Sequence, residues 1–464
     1  MRNKKIRCAS FLIAMASILG LGAPAPGQSD PGSPPSVDWQ TVLGPAQGEW
    51  PDPLPDVQWR EHVRGALLEA RSTGRPLFVT FRCLPCKQCA DFDKDVLEGS
   101  PDLTPLLKQF ITVRLTDAND LDLNVFPAQG FQDLDLSWWG YFLSPQGRVY
   151  GIFGGRDHVS DSTRISEAAL VNTLKRVLAH HYDPRRALWD IDGPAPDLGL
   201  SSRGPNQLEG YDSWAGRRDW VSEQNCLHCH QVAEVFRQPA IDAGTFKKND
   251  ADLRMWPLPE NVGLEVDRDH GLLIKVVEPD SAAASAGLQS GDILAAAGGR
   301  RLFGQADFRG VLHRQANPTG SIDVQWWRDD RLMSGTLKLE SGWRETVLNW
   351  RASISGGNIG AHTGFAWPNK GPRDAVIDRE PGGSEGGGMS IRPWLGNDHK
   401  RWPAYAAGLR DHHVIVAVDG ESPDLFGRPF LVWFRLRHEP GDEVTLTVRD
   451  GDELRKITYR LPSP

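Results

Sequence analysis

Six cysteines occur in the 464-residue chain, and apart from Cys8 they fall in two tight runs. A structural disulfide framework would scatter them, so clustering points to redox or cofactor chemistry. In the first run, Cys83-Leu84-Pro85-Cys86-Lys87 follows the apolar string Leu77-Phe78-Val79-Thr80-Phe81. The spacing predicts a buried strand, then the cysteines at the start of a helix. Backbone N–H groups and the positive dipole end would there stabilise a Cys83 thiolate, the nucleophile of disulfide exchange. Cys86, one turn on, is close enough to resolve a mixed disulfide. Cys89 falls one further turn on, on nearly the same face, as an alternative resolving thiol. Two other readings stay open, an inert structural disulfide and a metal site. A ferredoxin-like cluster would need a fourth cysteine nearby, which this sequence lacks.

The second run is Asn225-Cys226-Leu227-His228-Cys229-His230. Cys-x-x-Cys-His is the attachment signature of c-type haem, with thioethers at Cys226 and Cys229 and His230 as the iron ligand. Met255 is the one candidate for a sixth ligand. A haem-wrapping domain normally takes about 80 residues or more, and the span 220–256 is less than half that. Zinc held by Cys226, Cys229 and His230 with His228, or a plain disulfide, are the alternatives.

These runs need elements to hold them. Val63, Ala66, Leu67 and Ala70 recur at helical spacing, and Gly74-Arg75-Pro76 ends that helix. Residues 92–97 suit a helix and 111–115 a strand. Tyr141-Phe142-Leu143 and 148–153 read as a hairpin about Ser144-Pro145-Gln146-Gly147. Ile165, Ala169, Leu170, Leu174 and Val177 mark a closing helix. The result is one α/β domain over 59–182. It resembles the thioredoxin family through the strand, Cys-x-Pro-Cys-Lys, the helix and the hairpin. That resemblance implies a redox-active Cys83–Cys86 pair and a thiol protein as redox partner. Family members usually carry a cis-proline before the hairpin strand, where this chain has Ser137-Trp138-Trp139-Gly140.

Further along, Val262-Gly263-Leu264 is followed by Gly271-Leu272-Leu273-Ile274 and by Ala286-Gly287-Leu288-Gln289-Ser290-Gly291-Asp292-Ile293-Leu294. This succession resembles the PDZ domains of bacterial periplasmic proteases. The resemblance implies that a peptide C-terminus adds to a sheet edge, with its carboxylate at a loop matching Val262, Gly263 and Leu264. Residues 350–464 repeat the pattern loosely. Ala407-Gly408-Leu409 survives, and Asp411-His412-His413 replaces the Gly-Asp turn; adjacent histidines on a turn read as solvated. Little uncommitted length remains for a protease domain, so no protease is inferred from the resemblance.

Hydrophobic residues make up 39% and charged residues 24%, enough for each domain to bury a core. A net charge of −8 and a pI near 5.9 argue against nucleic-acid binding and against attraction to anionic membranes. Arg2, Lys4, Lys5 and Arg7 precede an apolar run over 8–21 and the small residues Ala23-Pro24-Ala25. This reads as a secretory signal over 1–27, with export to the periplasm or beyond and no membrane span after its removal. The expected organisation is a flexible linker over 28–58, the thioredoxin-like domain over 59–182, a linker over 183–220 and the Cys-x-x-Cys-His segment over 221–255. A PDZ domain over 256–345 and a divergent PDZ-like domain over 350–464 complete it. The fold class is therefore multi-domain, α/β followed by two mainly-β modules. The whole resembles exported bacterial proteins joining a thioredoxin-like domain to PDZ modules, some of them selenoproteins. The expected function is an exported thiol–disulfide redox protein that recruits a protein partner through PDZ modules. A non-enzymatic scaffold and a c-haem electron-transfer protein are the alternatives.

Overall fold

The computed structural model describes residues 37–82, 91–128, 138–155, 165–188, 191–216, 227, 229–245, 256–315, 319–344, 363–365, 377–380, 388–395, 402–439 and 441–462. Helix α1 (Trp39–Leu43) opens on Asp38, whose carboxylate accepts the Thr41 N–H at 3.3 Å. The chain then runs over the α/β domain. Leu54 N–H donates to Lys108 O at 2.9 Å, Gln109 Nε2 to Pro51 O at 3.1 Å and Arg185 to Pro45 O at 2.7 Å. Residues 38–58 are thus tied to that domain through their backbone. Proline-rich backbone loses little entropy when fixed, and donors from distant elements claim its carbonyls.

The α/β domain contains β1 (Trp59–Arg60), α2 (Val63–Thr73), β2 (Leu77–Arg82), a π-helical turn (Phe92–Leu97), α3 (Thr104–Leu107), β3 (Ile111–Leu115), β4 (Trp138–Leu143), β5 (Val149–Gly155) and α4 (Glu167–Tyr182). Helix α2 stops at Gly74, whose φ of 68° suits the left-handed cap. The sheet order is β1-β3-β2-β4-β5. The first three strands are parallel and the last two antiparallel. Strand side chains alternate between faces. Phe78, Phe142 and Tyr150 join Leu107, Leu170 and Leu174 in one core. Val79, Phe81, Trp139 and Tyr141 join Ala66, Leu67 and Ala70 in the other.

That second core is completed by chain beyond α4. Helix α5 (Tyr211–Gly216) brings fully buried Trp214, and α6 (Cys229–Asp242) brings Val232 and Val235. The indole N–H of Trp214 donates to Glu234 at 3.0 Å. Gly193 N–H donates to Val149 O at 2.7 Å, and Leu123 N–H to Arg203 O at 2.8 Å. The irregular chain over 191–216 covers a sheet face that would otherwise meet water.

The first β module contains β6 (Leu264–Val266), β7 (Ile274–Val277), α7 (Ala282–Ser285), β8 (Ile293–Ala297), β9 (Arg300–Arg301), α8 (Gln305–Arg314), β10 (Gly320–Arg328) and β11 (Arg331–Leu339). Its sheets run β11-β10-β8-β9 and β6-β7. The second module contains β12 (Ile377–Arg379), β13 (Ile391–Pro393), α9 (Pro403–Ala406), β14 (Val414–Val418), α10 (Gly427–Arg437), β15 (Glu443–Asp450) and β16 (Glu453–Arg460), in the order β12-β13-β14-β15-β16. Its core, around Phe365, Ile415, Phe430, Phe434 and Leu446, is its own.

The first module docks on the α/β domain. Asp307 of α8 accepts the Ile152 N–H of β5 at 2.8 Å, together with the N–H groups of Phe303 at 2.9 Å and Gly304 at 3.1 Å. Arg300 donates to Val149 O at 3.2 Å and Arg176 to Phe303 O at 3.0 Å. Side chains thus cap the edge strand β5, which would otherwise be open to another strand. Among the described residues, no helix is long and apolar enough to cross a membrane.

Candidate functional site

Cys83, Cys86 and Cys89 lie outside the described residues, but the chain on both sides of them is described. Strand β2 ends at Arg82, which pairs with Trp138, the first residue of β4. The chain re-enters at Asp91 and turns through the π-helical segment, a geometry frequent at functional sites. There Asp93 is buried, 4% exposed. Arg82 Nε stands 2.6 Å from Asp93 Oδ2, and Arg114 Nε stands 3.5 Å from the same oxygen. Trp138 Nε1 donates to Asp93 Oδ1 at 2.9 Å. The Phe92 ring meets the Trp138 indole edge-on at 4.9 Å. Arg114 is held in turn by Glu98 at 2.6 Å and lies 4.3 Å over the Trp59 ring. One buried carboxylate thus gathers two guanidinium groups and an indole N–H, and losing these partners would leave a polar group buried without compensation. At the start of β4, Trp139 stacks on Phe81 with centroids 4.6 Å apart.

In the second run, Cys226, His228 and Met255 lie outside the described residues. Cys229 and His230 open α6. Leu227 is 2% exposed and belongs to the α/β core with Val232 and Val235. A haem attached at Cys226 and Cys229 needs an apolar wall beside that first helical turn. The described apolar side chains nearest in sequence face the sheet instead, so they do not supply that wall. A Cys/Cys/His donor set also suits zinc.

Val262 and Leu264, assigned to peptide binding from the sequence, are each 1% exposed and sit in the core of the first module. Gly263 between them has φ of 83°, and a Cβ there would fall 2.2 Å from that of Ser281. Only glycine fits. A peptide here would meet backbone rather than these side chains. Strand β6 has β7 on one edge, and its sheet holds no third described strand. Every residue of α8 over 306–312 is buried. One side faces the module core, and the other faces β5 and Trp256, whose ring stacks on His313 at 4.9 Å.

His412 and His413, read as solvated, differ from one another. His412 is exposed and His413 is 4% exposed. His413 Nδ1 accepts the Arg410 N–H at 3.2 Å, and its Nε2 lies 3.6 Å from Asp450. His412, His413 and Asp450 could together face one ion. Arg455, however, already stands 2.9 Å from Asp450, and the Arg410 bond leaves the neutral His413 proton on Nε2. Both features oppose a cation.

The residues that sequence reasoning missed are Asp93, Arg114 and Asp307. The Asp91-Phe92-Asp93 string marks a carboxylate near the cysteines, but burial of the second aspartate depends on Arg114 and Trp138, which are distant in sequence. No curated protein matches the chain. Residues 58–132, which span the first cysteine run, match a thioredoxin-like family model, and with the sheet described above this makes the first domain thioredoxin-like.

Proposed function

We propose that this chain is an exported thiol–disulfide redox protein acting through Cys83 and Cys86. The observation that carries the proposal is the thioredoxin-like match across the Cys-x-Pro-Cys run, placed directly after the buried strand β2. The Cys83 thiolate attacks one sulfur of a substrate disulfide, forming a mixed disulfide and releasing one substrate thiolate, which takes up a proton. The Cys86 thiolate then attacks the Cys83 sulfur. The second substrate thiolate leaves, and two electrons have passed from the dithiol to the substrate. A thiol protein partner reduces the resulting Cys83–Cys86 disulfide. The β modules recruit a protein or peptide C-terminus, a reading supported by their resemblance to PDZ domains and by the glycine turn at Gly263. Cys226 and Cys229 add either a second dithiol or a haem anchor with His230. A Soret and α-band spectrum of protein made alongside the c-haem maturation machinery decides between them.

Reduction of insulin by wild type and Cys83→Ser tests the central claim. Loss of more than about 100-fold in rate is expected, and equal rates would remove the redox function. A second reading, a binding scaffold, is favoured by the bulky Trp138-Trp139 pair at the head of β4. Partner capture that survives replacement of all five clustered cysteines would support it.

A further inference from the structure

A Leu-Phe-Gly string leads into the long helix of each β module, Leu302-Phe303-Gly304 before α8 and Leu425-Phe426-Gly427 at the start of α10. Counted from that glycine, Gly310 and Trp433 hold the same place, and so do Arg314 and Arg437. The turn beside the helix matches as well. Ala297 pairs with Arg300 across it in the first module, and Val418 pairs with Glu421 in the second. The flank between this turn and the long helix can therefore be compared position by position. In the first module it is filled by polypeptide. Val149, Gly151 and Ile152 of β5 lie against Arg300, Gly310 and Arg314, with a space of only about 10 Å³ left between them. Arg300 donates to the carbonyls of Val149 at 3.2 Å and Tyr150 at 3.4 Å, and Phe303 is 1% exposed.

In the second module the same flank is open. A cleft of about 430 Å³ is lined by Asp419, Glu421, Trp433, Arg437, Asp442 and Glu443, and Phe426 beside α10 is 49% exposed. The charge is reversed. Glu421 stands where the first module has Arg300, and Asp419 where it has Gly298. Asp419 is held by His438 at 2.8 Å, and Glu421 reaches Arg437 at 3.5 Å. Asp442 and Glu443 have no basic partner among the described residues. Carboxylates beside an indole ring favour a guanidinium or ammonium group, which gains both ion pairing and a cation–π contact.

We propose that this flank of the second module is a docking surface for an extended, basic segment of a partner protein, at the face by which the first module holds β5. The filled flank shows the kind of occupant, an extended strand whose backbone meets side chains of the turn. The reversed charge of the open flank sets its chemistry, since acids that accept hydrogen bonds replace the arginine that donates them. This goes beyond capture of a peptide C-terminus, because the cleft lies between the turn after β14 and the end of α10 and needs no terminal carboxylate.

The test is fluorescence anisotropy of the full-length protein with a labelled peptide of alternating valine and arginine, both ends blocked, at low salt. The peptide should bind, and its valine–glutamate counterpart should not. Glu421→Arg, which installs the charge of the first module, should weaken binding by about tenfold or more. Glu421→Gln and Glu443→Gln, milder changes at exposed positions, should each weaken it about threefold and decide the matter if Glu421→Arg does not fold. Glu453→Gln, at an exposed acid of β16 outside the cleft, should leave it unchanged. No binding, equal binding of the valine–glutamate peptide, or an equal loss in Glu453→Gln would overturn the proposal. Binding that appears only with a free C-terminus would do the same and would leave capture of peptide ends standing. Sedimentation of the protein alone completes the test: a dimer that dissociates in Glu421→Arg would give the surface to a second copy of this chain and overturn the assignment to a partner.

Discussion

Apart from β9, the two β modules share one order of described elements, and they differ in what surrounds them. In the first, Asp292 accepts the Gln289 N–H at 2.8 Å and takes a two-pronged bond from Arg328 at 2.7 and 2.8 Å. In the second, His413 accepts the Arg410 N–H at 3.2 Å and faces Asp450. Asp292 and His413 each stand five residues after the glycine of an Ala-Gly-Leu string, and Arg328 and Asp450 each close the first strand of the final hairpin. The two positions have exchanged charge, and the acid of the second module stands opposite a histidine that burial holds below the usual histidine range. Surroundings diverge as well. Phe303 and Ala306 of the first module lie in the α/β cores, while the second module keeps a separate core. One module thus braces the α/β domain, and the other is built around a core of its own.

The largest expected effect is on the brace. Asp307→Ala strands three buried N–H groups and should cost about 3 kcal/mol, more than a surface change would. Hydrogen exchange should rise over 149–155 and 303–314 and stay unchanged over 443–460. Equal loosening of both modules would erase the distinction between them. Burial pushes the Asp307 carboxyl up to about 6, against the pull of the three N–H bonds and Arg300.

Smaller effects should separate the exchanged pairs. Arg328→Met leaves Asp292, whose side chain is 1% exposed, without its counter-charge, for about 1–2 kcal/mol. Asp450→Asn, at a site 22% exposed and shared with Arg455, should cost less than about 1 kcal/mol. Chemical denaturation followed module by module would show whether the order holds. Equal costs would mean that the exchange is energetically silent.

The smallest effect is the one that depends on pH. Burial, then His412 with Arg455 and Arg410, holds His413 below the usual histidine range, with Asp450 opposing. A histidine lowered in the fold binds protons less readily there than when unfolded. Its stabilisation is present above about 6.5 and is lost as pH falls through that value. Protection of 414–418 should therefore drop between pH 7.5 and 5.5, after correction for intrinsic exchange, while 293–297 holds. The double exchange His413→Asp with Asp450→Arg should abolish the drop; its persistence would assign the pH response elsewhere.

Local sequence signals predicted much of this fold. The apolar spacing of Val63, Ala66, Leu67 and Ala70 gave α2, the run 77–81 gave β2, and Ser144-Pro145-Gln146-Gly147 gave the β4–β5 turn, where the Ser144 hydroxyl accepts the Gln146 and Arg148 N–H groups. In the first module, Ser281 capping α7 and the left-handed Gly287 and Gly291 are equally local. At 38–58 and 191–216 proline and glycine report a lack of regular structure and say nothing about what distant groups bind the backbone.

The sequence by itself determined the two cysteine runs, their Cys-x-Pro-Cys and Cys-x-x-Cys-His spacings, and the elements whose periodicity is written in neighbouring residues. Tertiary structure alone decided that Asp93 is buried between Arg82, Arg114 and Trp138, that Asp307 caps a strand of another domain, and that α6 lies on the thioredoxin-like sheet. The physical reason is common to all three. Burial and charge pairing join groups separated by tens to more than a hundred residues, and only the folded chain brings them within hydrogen-bond reach.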